Sequence, residues 1–197
     1  MWGAASPRPT SLKIMLNLLL TFIISLSCST AFDNIKNVHA FTADFEEIIT
    51  SPALGKGTMR GKIWFKNGMA RINIYSPDTE VILVRDSTIK TINFADSTMI
   101  VQKKTEQTEF FFNLIRNASP TRIKSIGDTC FALIKPEIET IDSIYFKFNK
   151  EGKPLVIKLF QARTTVGVRL KNFKTKQTLP DSLFRIKPPE GFQTINF

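Results

Sequence analysis

The sequence predicts a mostly β protein built on a single curved antiparallel sheet. Three observations carry this expectation. Apolar and polar residues alternate with a period of two through most segments. Turn-forming pairs recur at a spacing of about ten residues. No apolar pattern of helical period runs beyond about four turns. Composition agrees, because 43% of the 197 residues are hydrophobic and 22% charged. That is too apolar for a disordered tail and too mixed for a multi-span membrane protein. The length fits one domain.

Residues 1–31 stand apart from that domain. Arg8 and Lys13 precede an apolar run of about 13 residues, Ile14 to Leu26, and small residues follow, as in a secretory signal peptide. Ser29 and Ala31 occupy the minus-three and minus-one places of a cut before Phe32, which makes residues 32–197 the mature domain. Cys28 offers a second outcome. Ser25-Leu26-Ser27-Cys28 is similar to a lipobox, whose Cys becomes an acylated N-terminus, although Leu26 stands one residue later than usual. A cut after Ala31 leaves Cys130 as the sole cysteine, unable to form an intramolecular disulfide. Within the strand-like Cys130-Phe131-Ala132-Leu133-Ile134 it then reads as a small buried hydrophobe.

The elements follow in order. Gly57 to Phe65 alternates Met59, Ile63 and Phe65 against Thr58, Arg60 and Lys62. Asn67-Gly68 is a strong tight-hairpin signal, and the return strand places Ala70, Ile72 and Ile74 on one face. Ser76-Pro77-Asp78 makes a corner, since Pro lacks the donor that a central strand needs. Val81-Ile82-Leu83-Val84 is apolar on both faces, so this strand requires cover on both sides. Thr88 to Phe94 and Thr98 to Lys103 continue the meander.

Residues 105–117 break the pattern. Phe111, Leu114 and Ile115 share a helical face, with Phe110 and Phe112 widening it, so the segment reads as a short plug or lid helix. An ordinary Phe-rich core strand is the competing reading. A second group of strands then covers Ser143 to Phe148, with Ile144, Phe146 and Phe148 on one face, then Pro154 to Phe160 and Val166 to Leu170. Leu183 to Lys187 is expected as the last strand. The count comes to about nine to eleven strands.

Chemistry for catalysis is sparse. His39 is the single histidine, so no His cluster can hold zinc, and no nucleophile elbow accompanies it. Leu54-Gly55-Lys56-Gly57 lacks the spacing of a phosphate loop. No enzyme activity, cofactor or metal is expected. Removing Arg8 and Lys13 takes the formal +10 to +8, and the basic residues are scattered instead of interleaved with stacking aromatics. Nucleic acid is therefore not an expected partner. The charge fits either a solvated strand face or attraction to an anionic surface.

Phenylalanine is in surplus, at 17 residues against two Tyr and two Trp. Phe supplies apolar area with no hydroxyl to satisfy. Two readings stay open, a solid Phe-rich core and an apolar cavity lined by movable rings.

Several segments, taken in order, resemble the LolA-type periplasmic carriers of outer-membrane lipoproteins. They are Phe41-Thr42-Ala43-Asp44-Phe45, then Gly57 to Lys66, Tyr75-Ser76-Pro77-Asp78 with Val81 to Val84, Phe111 to Asn117, and Phe184-Arg185-Ile186-Lys187-Pro188-Pro189-Glu190-Gly191. The resemblance implies an unclosed β-barrel, or half-barrel, with short helices as a lid and an interior that shields acyl chains. Phe65, Ile72, Ile74 and Leu83 would line it from one group of strands. Phe146 and Phe148 would do so from the other, and Phe110, Phe111, Leu114 and Ile115 from the lid. The implied protein is a monomeric periplasmic carrier. It takes lipoproteins from an inner-membrane ATP-driven transporter to an outer-membrane acceptor. Where the family has a lid-holding Arg followed by Pro, this chain has Asn67-Gly68, and Arg71 is the nearest substitute. The same half-barrel also implies an alternative, a membrane-anchored acceptor or an envelope sensor module. The acceptor would need lipid on Cys28.

Overall fold

The computed structural model describes residues 28, 30–34, 37–53, 55–104, 119–136, 141–175 and 178–197. Six strands form a first meander: β1 (Ala40–Ser51), β2 (Gly55–Lys66), β3 (Met69–Ser76), β4 (Glu80–Arg85), β5 (Thr88–Asn93) and β6 (Thr98–Lys103). Five form a second: β7 (Arg122–Ile126), β8 (Thr129–Ile134), β9 (Ser143–Asn149), β10 (Pro154–Gln161) and β11 (Thr164–Thr175). A short β12 (Gln193–Asn196) closes the chain.

All twelve belong to one curved, unclosed sheet, in the order β12-β6-β5-β4-β3-β2-β1-β11-β10-β9-β8-β7. The predicted half-barrel sheet is therefore present. β1 is the seam, paired with β2 on one side and with β11 on the other. The expected lid over 105–117 lies outside the described residues.

Local chemistry explains the hairpins. Asn67 and Gly68 take φ of 48° and 83°, the left-handed pair that matches the twist of β2 and β3. Asp86 and Ser97 turn their hairpins with φ of 51° each, a conformation that short polar side chains tolerate. At Gly61 the missing side chain is a packing requirement, because a Cβ there would collide with the Asn73 carbonyl oxygen and lie 2.7 Å from the Phe45 ring.

Two expectations need correction. Leu183 to Lys187 is not a strand. Asp181–Phe184 is a 3-10 turn, and the segment crosses the sheet with Phe184 fully buried. Pro180, Pro188 and Pro189 bound the segment and cannot themselves donate to a ladder. The sheet is also not wholly antiparallel, because β12 runs parallel to β6, with Gln193 opposite Thr98. The C-terminal segment crosses the sheet before returning to its edge, and this reverses the direction that a hairpin would impose.

Candidate functional site: the apolar face of the sheet

Strand registers assign each side chain to a face, since successive residues point to opposite sides. The helical turn at residues 30–34 packs on one face, through Phe32 against Phe146 and Phe148, and this is termed the inner face. Along β1 the inner face carries Phe41, Ala43, Phe45, Glu47 and Ile49. Ile63 and Phe65 of β2 stand opposite Ala43 and Phe41, and Ile72 and Ala70 of β3 continue the rows. Val84 and Ile82 of β4 extend them. On the other side of β1, Leu170, Val168 and Val166 lie opposite Phe45, Glu47 and Ile49, and Ile157 and Phe146 follow outward. The inner face is thus apolar across both meanders.

Its burial is uneven. Towards β8 and β9 it is closed, with Ala132, Ile134, Ile144, Phe146 and Phe148 at 2% exposure or less. At the seam Phe41, Phe45, Ile63, Phe65, Ile72 and Val168 are only half-buried. Phe41 stacks between Phe65 and Phe173, with ring centroids 5.2 and 5.1 Å away. Fully burying one such side chain is worth about 1.5–3 kcal/mol. A strip of half-buried rings and branched chains therefore retains free energy for an apolar ligand to recover. Glu47 interrupts this strip, between Met59 and Val168, and burial raises its carboxyl above the ordinary 4.5.

The outer face is polar at the seam. Arg60 donates to Glu46 at 3.0 Å, and Asn172 Nδ2 donates to Asp44 Oδ2 at 2.6 Å. This second contact sits at an irregularity in the β1–β11 ladder, where β11 carries an extra residue and Asn172 takes φ of 52°. Further along, the outer face is covered by the C-terminal segment. Leu179 and Phe184 pack on Leu83, with Trp64, Met69 and Ile186 around them. Val81 to Val84 has cover on both sides, as its composition requires: Leu83 lies under this strap, and Val84 packs with Ala70 and Ile89 on the inner face.

The residues expected to line the interior are distributed accordingly. Phe65 and Ile72 lie on the half-buried strip, and Ile74 is buried on the same face. Phe146 and Phe148 are on the inner face beneath Phe32. Leu83 is on the opposite face, one residue out of phase with Ile82 and Val84, and belongs to the core under the strap. Arg71 also faces outward. It donates from Nη1 to the Leu183 carbonyl at 3.2 Å and from Nε to Asn73 Oδ1 at 3.0 Å, so it holds the C-terminal strap. Lys66 acts beside it, donating to the Leu179 carbonyl at 2.8 Å and to Asp181 at 2.7 Å. Phe110, Phe111, Leu114 and Ile115 lie outside the described residues.

Sequence reasoning missed Phe41, Phe45, Phe173 and the β11 valines as lining residues. The period-two signal in Phe41-Thr42-Ala43-Asp44-Phe45 was present, but alternation does not say which strand sits at the seam. The expectation of an unpaired Cys130 is corrected by its disulfide to Cys28. The physical reason is proximity across the fold, because β8 turns Cys130 onto the inner face where Cys28 and the turn at residues 30–34 lie. No helix among the described residues is long and apolar enough to cross a membrane.

A sequence model of the family described as outer membrane lipoprotein carrier protein LolA matches residues 36–187. No curated protein matches the sequence. Among solved structures, an uncharacterized conserved protein from Thermus thermophilus superposes with a TM-score of 0.58 at 8% identity, over 87% of this chain and 99% of that one. This likeness is one of fold. A LolA superfamily protein from Nitrosomonas europaea gives 0.45 at 14% identity, over 83% of this chain and 98% of that one. The Mycobacterium tuberculosis lipoprotein LppX gives 0.38 at 11% identity, over 83% and 97%.

Proposed function

The chain belongs to the family of the outer membrane lipoprotein carrier protein LolA, and on that premise we propose that it carries lipoproteins across the periplasm with their acyl chains held on the inner face. It would receive them from an inner-membrane ATP-driven transporter and release them to an outer-membrane acceptor. It acts as a binding protein, with no chemical step. The half-buried apolar strip at the seam, from Phe41 to Ile72 and Val168, is the observation that carries this reading.

An open sheet suits a carrier for an energetic reason. Burial is worth about 0.8 kcal/mol per methylene. Complete enclosure of three acyl chains would therefore exceed the roughly 18–21 kcal/mol at which reversible affinities saturate. A carrier that enclosed its cargo completely would not release it. A trough gives partial cover, enough to keep chains from water in transit. The residues proposed to contact acyl chains are Phe41, Phe45, Phe65 and Ile72, joined by Phe110, Phe111, Leu114 and Ile115 of the proposed lid.

The test is uptake of a fluorescent acylated peptide by the purified protein. Ile72→Asp places a charge in the middle of the strip and is expected to abolish uptake while the β-sheet circular dichroism is kept. Uptake at the wild-type level by a folded Ile72→Asp protein would refute the site.

A further inference from the structure

Cys28 and Cys130 are 102 residues apart in sequence and joined through their sulfurs, with Cα atoms 5.3 Å apart. Two further contacts seat the same segment. Phe32, 1% exposed, stands edge-on to Phe146 and Phe148, at 5.7 and 6.2 Å between ring centroids. Ala31, 6% exposed, lies over Gly152, where an added Cβ would meet the Ala31 Cα and Cβ at 3.3 Å. Gly152 itself has φ of 76°, so the turn that receives Ala31 is built around a residue without a side chain. A bridge, a ring cluster and a glycine opening are three separate provisions for one short stretch of chain.

A cut after Ala31 would discard the Cys28 half of the bridge and the Ala31 contact with it. It would also make Phe32 the chain terminus and remove the covalent tether that joins its segment to β8. We infer that the mature protein keeps Cys28, that Cys28 is bridged to Cys130 and not acylated, and that Cys28 with residues 30–34 forms a tethered cover over the β8–β10 end of the inner face. Leader removal then takes place on the N-terminal side of Cys28.

The two fates of Cys28 exclude one another, because lipid attachment forms a thioether at the same Sγ that the bridge uses. Bridge formation balances as a thiol–disulfide exchange. Both thiols lose their protons and together give up two electrons. A disulfide-bonded protein oxidant of the exporting compartment takes these up and becomes a dithiol. The cover leaves the seam strip as the part of the inner face open to a ligand. Neither the bridge nor the cover depends on what that ligand is.

The experiment is intact-mass and peptide mass spectrometry of the full chain, with its own leader, exported by a bacterial host and kept unreduced. The expected result has four parts. The N-terminus lies at or before Cys28, the mass is two hydrogens below the dithiol form, a peptide pair links Cys28 to Cys130, and no acyl-glyceryl mass is attached. An N-terminus at Phe32, an acylated Cys28, or two thiols that react with maleimide before reduction would each overturn the inference. Hydrogen exchange tests the cover separately. Reduction is expected to speed amide exchange in β8 and β9 by more than in the hairpin of β2 and β3. Identical exchange in β8 and β9 before and after reduction would overturn the covering role.

Discussion

Glu47 runs against the apolar lining around it. Its register partners are Met59 and Val168, and its neighbours along the same face of β1 are Phe45 and Ile49. Burial raises its carboxyl above 4.5, so the native state holds this proton more tightly than the unfolded chain does. The stability linked to that proton is present below the unfolded value and is lost as pH rises through the folded one. Glu47→Gln carries no charge at any pH. It is therefore expected to melt higher than wild type at about pH 7 and to lose most of that advantage at about pH 4. Thermal melts by circular dichroism check this, and an equal difference at both pH values would show that burial does not act on Glu47. Gly61 illustrates the reverse case, a residue chosen for what it lacks. The Asn73 carbonyl oxygen and the Phe45 ring occupy the space above it, on the face where the acyl chains are proposed to lie.

The C-terminal segment is the element whose behaviour the sequence pattern misstates. Phe184 and Ile186 alternate with Arg185 and Lys187 well enough to imitate a strand, yet the chain between Pro180 and Pro188 is a strap over the outer face. Phe184 is its anchor, fully buried against Leu83, and the side chains of Lys66 and Arg71 grip its carbonyls from β2 and β3. Phe184→Ala is expected to cost about 3–5 kcal/mol, read from urea unfolding. Trp64 lies in the same cluster, and the second tryptophan is Trp2, far from this domain in sequence. The Trp64 emission should therefore shift to the red in the variant when the protein is produced without residues 1–27. An unshifted spectrum would mean that the strap does not cover Trp64. Arg71 belongs to this grip, and a role for it at a lid on the inner face would need the side chain to reach around the sheet.

At the scale of the whole molecule, β1 joins two meanders into one sheet, and the Cys28–Cys130 bridge ties the start of the domain to the far one. Closing a loop of that length restricts the unfolded chain, so Cys130→Ser is expected to lower stability by about 2–4 kcal/mol. Chemical denaturation of the variant beside the oxidised wild type measures it, and equal midpoints would show the bridge to be energetically idle. The sequence by itself determined most of the strands of both meanders, the hairpin at Asn67-Gly68, and the need for cover on both sides of Val81 to Val84. These follow from contacts between near neighbours, where alternation and turn chemistry are strong. It also determined which side chains share a face within each strand. Tertiary structure alone decided that β1 pairs with β11, which face is inner, that Leu83 and Arg71 look outward, and that Cys28 meets Cys130. Each of these depends on segments far apart in the chain, and a period of two carries no information about which distant strand will lie alongside.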